Sequence, residues 1–460
     1  MLKNEGLRQA FKYIELTGVI LSLCIMPIDR FPYLHYIPLK LGAISFALLL
    51  IAAARRYIKI IYDKRWADFK KVTAISALIL LPTLAYAQSI HYAIDRKLAV
   101  GATKLLLVVV LKAICFFILL HENHSLWKII KKTIYIVTAL VIAFGFFQFV
   151  FDIFGASTKI TDLRGCCTSN STYIFPRVHS VSIEPLYFAN FLLIPIWLMI
   201  HDFVFDKSAR KNKFLITLFA ATSSLFILSL ARSALLALLV TAILFVFGLG
   251  KRELMRSALP YFAKVAGGVV LIAIAFVIAS GIASRFIHKH AINGADSGVK
   301  GNVAIFGGHA IDVADQSAQT RYNTWPKAIT YIKQRPLQGV GAYNSRVKLN
   351  LDQYNKGVPD TQLQPFNNDL LGLLVDLGLV GLILFAPLVI ALVTAIIRLS
   401  KLHWKHPAAP FALAAIAMLI QGNFFHSILL ARLWVVIGIA LAGLYPRQKT
   451  LKNSSDGLAR

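Results

Sequence analysis

Acidic residues and cysteines are scarce in this chain. Its 460 residues include 21 Asp and Glu and four Cys, and charged residues of both signs make up only 15% of the sequence. Soluble domains carry about 25% charged residues, so the composition argues against a water-soluble enzyme. Four cysteines are too few for a disulfide framework. The apolar fraction of 57% also excludes a disordered or collagen-like chain.

The shortage of acidic side chains also bears on metals and cofactors. No His, Cys or Asp spacing suits zinc. Asp29 is the only acidic residue in the first predicted outward loop, so magnesium lacks its carboxylate ligands there. The sequence has no Walker A motif and no dinucleotide-binding glycine fingerprint. We therefore expect neither a metal nor a cofactor.

Apolar sequence is what the chain has in abundance. A bilayer-spanning helix needs about 20 mostly apolar residues, and we identify about 12 such runs. Residues 214–250 contain one charge, Arg232, and as a single helix they would be about 55 Å long, so we predict a turn at 229–233. The fold class is therefore all-α, a polytopic membrane protein with about 12 transmembrane helices and one long extracytoplasmic loop. The runs are 11–28, 36–54, 72–91, 98–120, 133–155, 184–205, 214–231, 232–250, 260–283, 371–397, 408–426 and 428–445.

Basic residues set the predicted orientation. Lys and Arg number 49 against 21 acidic residues, and they concentrate in alternate loops, which we assign to the cytoplasm. The chain is then a multi-pass membrane protein with both termini in the cytoplasm. We expect membrane lipids, and no nucleic acid, among its partners. The basic segments are 55–71, 128–132, 207–213, 251–256, 398–405 and 447–452.

This topology divides the chain into four parts. Residues 1–283 hold membrane helices 1–9, and residues 284–366 form an extracytoplasmic loop that carries part of the active site. Residues 367–445 hold helices 10–12, and residues 446–460 are a cytoplasmic tail. Within the long loop, Trp325, Ile329 and Ile332 recur at helical spacing, and Pro336 ends the pattern.

Polar side chains that face outward at membrane level are the candidate site, because such groups are costly there. Guanidiniums bind phosphate oxygens with a planar fork, and a carboxylate or imidazole can accept a proton from an attacking hydroxyl. We expect these side chains to converge on one cavity. They are Arg177, His179 and Glu184; Arg232; Arg321 and Trp325; Asn367, Asn368 and Asp369; and Asn423, His426 and Arg432.

Structural roles stay open for several of these residues. Arg232 can snorkel to lipid headgroups from its turn. Glu184 can cap the N-terminus of the sixth span, a position that acidic residues favour. His179 and His426 can each be structural.

Four segments carry motifs in a fixed order, and together they resemble the O-antigen ligase and polymerase family. The first is most similar to the exopolysaccharide polymerase members of that family. The segments are R-V-H-S-V-S-I-E-P-L-Y-F-A at 177–189; L-S-L-A-R-S-A-L-L at 228–236; R-Y-N-T-W-P-K-A at 321–328 with R-P-L-Q-G-V-G at 335–341; and N-N-D-L-L at 367–371 with D-L-G-L-V-G at 376–381.

The resemblance implies a membrane glycosyltransferase of the C type. It implies transfer of a glycan from an undecaprenyl pyrophosphate carrier to a glycan or lipid-linked acceptor hydroxyl outside the inner membrane, without a metal. Arg232 and Arg321 match the family's functional arginines, and with Glu184 they are our catalytic candidates. The substrate-binding candidates are Arg177, His179, Asn367, Asn368, Asp369, Trp325, His426 and Arg432.

The chain departs from the family at Asn367, where the ligases have a functional His. Asn cannot act as a base, and this shifts our prediction from ligase to polymerase. Asp369 lies two residues on, about 200° around a helix, so we expect it to point to another face. Glu184 is then the predicted base.

Two other functions compete with the glycan polymerase or ligase. A twelve-span transporter or flippase predicts internal repeats and midplane binding groups, whereas we find no repeat and only Lys112 as a clear mid-span charge. A non-catalytic scaffold of an envelope complex leaves the clustered arginines unexplained.

Overall fold

The structure is a computed structural model that describes residues 5–28, 36–153, 178–182, 184–229, 231–249, 316–359, 363 and 366–443, without the side chains of 36–39, 152–153 and 316–322. Within these ranges all regular structure is helical, which confirms the all-α prediction. The α-helices are α1 Glu5–Cys24, α2 Tyr36–Tyr62, α3 Trp66–Ser89, α4 Arg96–Glu122, α5 Leu126–Ile153, α6 Pro185–Phe205, α7 Lys213–Leu228, α8 Arg232–Gly248, α9 Gln316–Gln334, α10 Ser345–Leu349, α11 Leu351–Asn355, α12 Asp369–Lys401, α13 Ala409–Gly422 and α14 Ala431–Ala442.

The apolar runs of the sequence coincide with helices wherever the structure describes them. The ninth run, 260–283, lies outside the described residues, as does the glycine-rich part of the long loop. Among the described residues, six helices are long and apolar enough to cross a membrane, namely α2 to α6 and α12. Helices α7, α8, α13 and α14 are apolar but shorter. The count of 12 spans therefore stays a prediction, and the four-part division of the chain and its orientation stay predictions too.

Two local predictions are confirmed by helix ends. Helix α7 ends at Leu228 and α8 begins at Arg232, so the chain turns where the bilayer thickness required it. Helix α9 ends at Gln334, just before Pro336, as the spacing of apolar residues indicated. In both cases a simple limit, on helix length or on backbone hydrogen bonding, decides the boundary.

The helices form two compact units, and each is described by itself. The first unit contains residues 1–20, 43–129 and 313–460, and the second contains residues 21–42 and 130–312.

In the first unit, α4 packs against α3 and α14, and α12 packs against α3. Gly438 of α14 lies directly on the backbone of Ala113 in α4, which lets these helices approach closely. The far ends of α3 and α4 are joined by Arg65, whose guanidinium donates two hydrogen bonds of 2.9 Å to the Glu122 carboxylate. That carboxylate also raises the pKa of Arg65. This clamp fixes the end of the bundle opposite the turn between α3 and α4.

In the second unit, α6 is the central element and is buried along most of its length. Trp197 packs edge-on against Phe245 of α8. Near the end of α6, the Asp202 carboxylate accepts hydrogen bonds from Lys131 (3.1 Å) and Tyr135 (2.9 Å) of α5. These contacts tie α5 to α6 through a charge that is buried but fully paired.

Candidate active site

The glycine-containing loop between α9 and α10 is built against an interruption in α12. The N–H of Val340 donates to the carbonyl of Val375 (2.9 Å), and the N–H of Gly341 donates to that of Asp376 (2.8 Å). On the far side of the interruption, the N–H of Leu379 donates to the carbonyl of Pro336 (2.9 Å). Two of the segments that carry the family resemblance are therefore two halves of one backbone contact.

Glycine is required at this contact because the two backbones nearly touch. Gly378 interrupts α12 with a φ of 62°, a conformation that side chains rarely adopt, and a Cβ there would collide with the carbonyl of Leu337. A Cβ on Gly341, whose φ is 104°, would collide with the backbone of Ala93 in the α3–α4 turn. The glycines thus allow the loop to lie between α12 and that turn.

The Asp376 carboxylate fixes the part of the loop that follows. Its side chain is buried, and its two oxygens accept hydrogen bonds from the backbone N–H groups of Tyr343 (3.0 Å) and Ser345 (2.6 Å). Tyr343 has a φ of 61°, which is unusual for a bulky residue and marks a backbone held by its surroundings. Two backbone N–H groups of the loop therefore find their acceptors on one buried side chain.

The α3–α4 turn supports the same loop from the other side. The Asn344 side chain is fully buried, accepts from the N–H of Asp95 (2.6 Å) and donates to the Asp95 carbonyl (3.2 Å). The Ser89 hydroxyl accepts from the N–H of Ala342 (2.8 Å). Three backbone groups find side-chain partners here, and these contacts hold the loop against the turn.

The start of α12 brings a carboxylate next to an imidazole. Asn368 is the N-cap and accepts from the N–H of Leu371 (2.8 Å). Asp369 is buried, accepts from the backbone N–H (3.0 Å) and the hydroxyl of Ser427, and lies 3.3 Å from Nδ1 of His426. Our expectation that Asp369 points to another face than Asn367 assumed one continuous helix. It has no basis here, because the helix begins at Asp369 and Asn367 precedes the cap.

These elements together line a small, open cleft in the first unit. The Arg346 guanidinium lies 4.6 Å above the centre of the Tyr343 ring, and that ring lies 4.9 Å from the His426 ring. Nε2 of His426 is buried and has no hydrogen-bond partner among the described residues. The cleft therefore combines a fixed cation, a phenol and an imidazole that can still accept a hydrogen bond. Its lining residues are Tyr343, Ser345, Arg346, Phe366 and His426.

Of the predicted site residues in the first unit, the structure brings Asp369 and His426 together. Asn367 is half-buried and lies two residues before Asp369. Trp325 is exposed on α9, and Arg321 lies on the same helix with its side chain outside the description. Arg432 is almost fully buried in the first turn of α14.

The predicted residues of the second unit occupy three different settings. Nδ1 of His179 is 3.1 Å from the Ser182 carbonyl and Nε2 is 2.7 Å from Nε2 of Gln148, so both ring nitrogens are engaged. Glu184 is the N-cap residue of α6, but its side chain accepts no capping hydrogen bond. Arg232 is the exposed first residue of α8. Arg177 lies outside the described residues, and the convergence of all these groups stays a prediction.

Sequence reasoning missed Tyr343, Ser345 and Arg346 as cleft residues, and it gave Asp376 no role. A signal was available, because a Tyr and an Arg lie two and five residues after the G-x-G segment at 339–341. The partner of that segment, however, is an interruption in α12 that the sequence does not reveal.

The comparison with protein families matches the motif segments. Residues 217–386 match the family model described as O-antigen ligase, a stretch that includes most of α7, all of α8 to α11, the glycine-containing loop and the first half of α12. A search of the curated proteins finds no match to the chain. The predicted resemblance is confirmed by this match. Residues 217–386 of this chain are thus similar to the O-antigen ligase family.

Proposed function

We propose that this protein takes an oligosaccharide or growing polysaccharide from an undecaprenyl pyrophosphate carrier and transfers it to an acceptor hydroxyl at the outer face of the inner membrane. The observation that carries the proposal is the cleft, where a loop of the family-matched domain presents Tyr343 and Arg346 beside His426. We favour a polymerase of O-antigen or exopolysaccharide. Transfer to lipid A-core by a ligase is the alternative.

The proposed reaction is a direct displacement at the anomeric carbon. The acceptor oxygen forms a bond to that carbon, the bond from the carbon to the phosphate oxygen breaks, and the lipid pyrophosphate leaves with the electron pair. The hydroxyl proton passes to a base. Because negative charge develops on the leaving oxygen, fixed cations that hold it stabilise the transition state.

Arginines are suited to hold that leaving group, because a guanidinium stays charged and binds two phosphate oxygens at once. Arg346 lines the cleft. The family resemblance adds Arg232 and Arg321 as arginines that bind the donor pyrophosphate. In this proposal the arginines supply the positive charge, and transfer needs no divalent cation.

Asn367 is the feature that favours a polymerase. It occupies the position of the ligases' functional His and lies immediately before the cap of α12. An amide can hold an acceptor hydroxyl by donating and accepting hydrogen bonds. It cannot remove the proton, so the acceptor chemistry of this chain differs from that of the ligases.

Purified protein tests the proposal when it is incubated with a lipid-linked oligosaccharide. A polymerase produces a ladder of longer lipid-linked glycans from this substrate alone. A ligase produces one capped product, and only when lipid A-core is added. The proposal would be contradicted if neither product formed while the same protein in liposomes moved the lipid-linked glycan across the bilayer, as a flippase does.

A further inference from the structure

The imidazole of His426 has the geometry of a general base. Its Nδ1 is 3.3 Å from a carboxylate oxygen of Asp369, and this contact favours the tautomer that carries its proton on Nδ1. Nε2 then carries the lone pair. That atom has no hydrogen-bond partner among the residues that the structure describes, and a buried acceptor left unpaired is uncommon.

The carboxylate that orients the ring is itself held in place. Asp369 accepts hydrogen bonds from the backbone N–H and the hydroxyl of Ser427, the residue next to His426. It also lies in the first turn of α12, where the helix dipole favours a negative charge. Two segments that are far apart in sequence are therefore locked together at this pair.

The ring belongs to the wall of the cleft. The His426 side chain is 17% exposed, and its ring lies 4.9 Å from that of Tyr343, whose face carries the Arg346 guanidinium. A proton acceptor and a cation thus both lie against one aromatic ring in the wall of the cleft.

We propose that His426 is the general base of the transfer and that Asp369 is its positioning residue. The inference rests on the proposed function. Nε2 of His426 removes the proton from the acceptor hydroxyl as its oxygen bonds to the anomeric carbon and the lipid pyrophosphate leaves. His426 lies outside the family-matched residues 217–386, and it supplies the imidazole that Asn367 lacks. It takes the role that the sequence alone assigned to Glu184.

His426→Asn is the sharpest variant, because its amide nitrogen can occupy the place of Nδ1 and keep the hydrogen bond to Asp369 while Nε2 is lost. We expect turnover to fall about 10²–10⁴-fold with donor affinity nearly unchanged. His91→Gln is the matched control, since His91 is exposed at the α3–α4 turn and lines no part of the cleft. Melting temperatures check folding, and His426→Gln serves as the second variant should His426→Asn be unstable.

Asp369→Asn tests the positioning role by its dependence on His426. We expect it to lower turnover in the wild-type background and to lower it no further in the His426→Asn background, because residues that act as a unit are non-additive. An additional loss in the double variant contradicts the positioning role. Wild-type turnover in a folded His426 variant overturns the proposal, whereas absence of transfer by the wild-type protein itself is a failure of the proposed function.

Discussion

Two histidines, one in each unit, differ in how many of their ring nitrogens the protein engages. His179, in the loop before α6, has one ring nitrogen at the Ser182 carbonyl and the other at Gln148. His426, in the loop before α14, has one ring nitrogen at Asp369, and its second nitrogen has no partner among the described residues. Gln148 also accepts hydrogen bonds from the backbone N–H groups of His179 and Ser180, which closes the first network.

The number of ring nitrogens that the protein engages, more than the residue type, therefore separates a structural histidine from one that can react. A ring with both nitrogens hydrogen-bonded to the protein holds a loop together and has nothing left for a substrate. A ring oriented by a carboxylate through Nδ1 keeps Nε2 for a proton. The sequence presents both residues alike, as a His beside a Ser at the start of an apolar run.

The largest effect is expected from the two arginines that the family resemblance assigns, one in each unit. Arg232→Ala or Arg321→Ala should abolish transfer, because each lost charge-assisted contact costs about 1.5–3 kcal/mol in binding and more as charge develops on the leaving oxygen. Arg→Lys should rescue poorly, since an ammonium lacks the planar fork. Product formation at matched expression measures this. Near-normal product from one alanine variant would remove that unit's arginine from the reaction.

Arg346→Ala is expected to have the next largest effect, on donor binding. The loss of one guanidinium contact predicts about 10- to 150-fold weaker binding of the lipid-linked donor, and Arg346→Lys should recover only part of it. Lys333→Ala is a control, because Lys333 is an exposed cation on α9. Equal donor affinity in Arg346→Ala and Lys333→Ala would place the pyrophosphate away from the cleft.

Glu184→Gln tests whether the general base lies in the second unit instead of the first. If His426 is the base, turnover in Glu184→Gln should fall less than about tenfold, short of the 10²–10⁴-fold expected for a lost base. Its melting temperature, measured on the same preparation, separates a loss of rate from a loss of stability. A loss of 10²-fold or more with unchanged donor binding would return the base to the second unit.

His179→Gln should lower the stability of the protein without lowering its rate of transfer. Replacing the imidazole disturbs two buried hydrogen bonds, each worth about 0.5–1.5 kcal/mol, so the melting temperature should fall while turnover of the folded fraction is spared. Rate and melting temperature measured on one preparation decide this. An unchanged melting temperature with a lowered rate would show that His179 has a catalytic role although both of its ring nitrogens are hydrogen-bonded.

Chelation is expected to have no effect. Transfer by purified protein should continue in excess EDTA, since the sequence offers no acidic ligand cluster in its outward loops. A loss of turnover that magnesium or manganese restores would show that a cation assists the arginines.

Sequence reasoning was sufficient where one physical limit decides the structure. The turn after Leu228 follows from the thickness of a bilayer, and the end of α9 follows from Pro336. It was not sufficient where distant segments meet. Asp369 and His426 are 57 positions apart. Asn368 caps α12, so the helix begins at Asp369 and the predicted angle of about 200° between Asn367 and Asp369 does not apply. Arg346 was missed because its place in the cleft depends on the buried Asp376.

Photocrosslinking from position 343 tests directly whether the cleft of the first unit binds the donor. A photoreactive phenylalanine in place of Tyr343 should crosslink to a labelled lipid-linked oligosaccharide, and excess unlabelled donor should suppress the crosslink. The same residue at position 91 is the control, because His91 is exposed at the same end of α3 but lies outside the cleft. We expect a crosslink at position 343 that unlabelled donor suppresses, and no crosslink at position 91. Equal yields at the two positions, or a yield at 343 that unlabelled donor does not reduce, would contradict it.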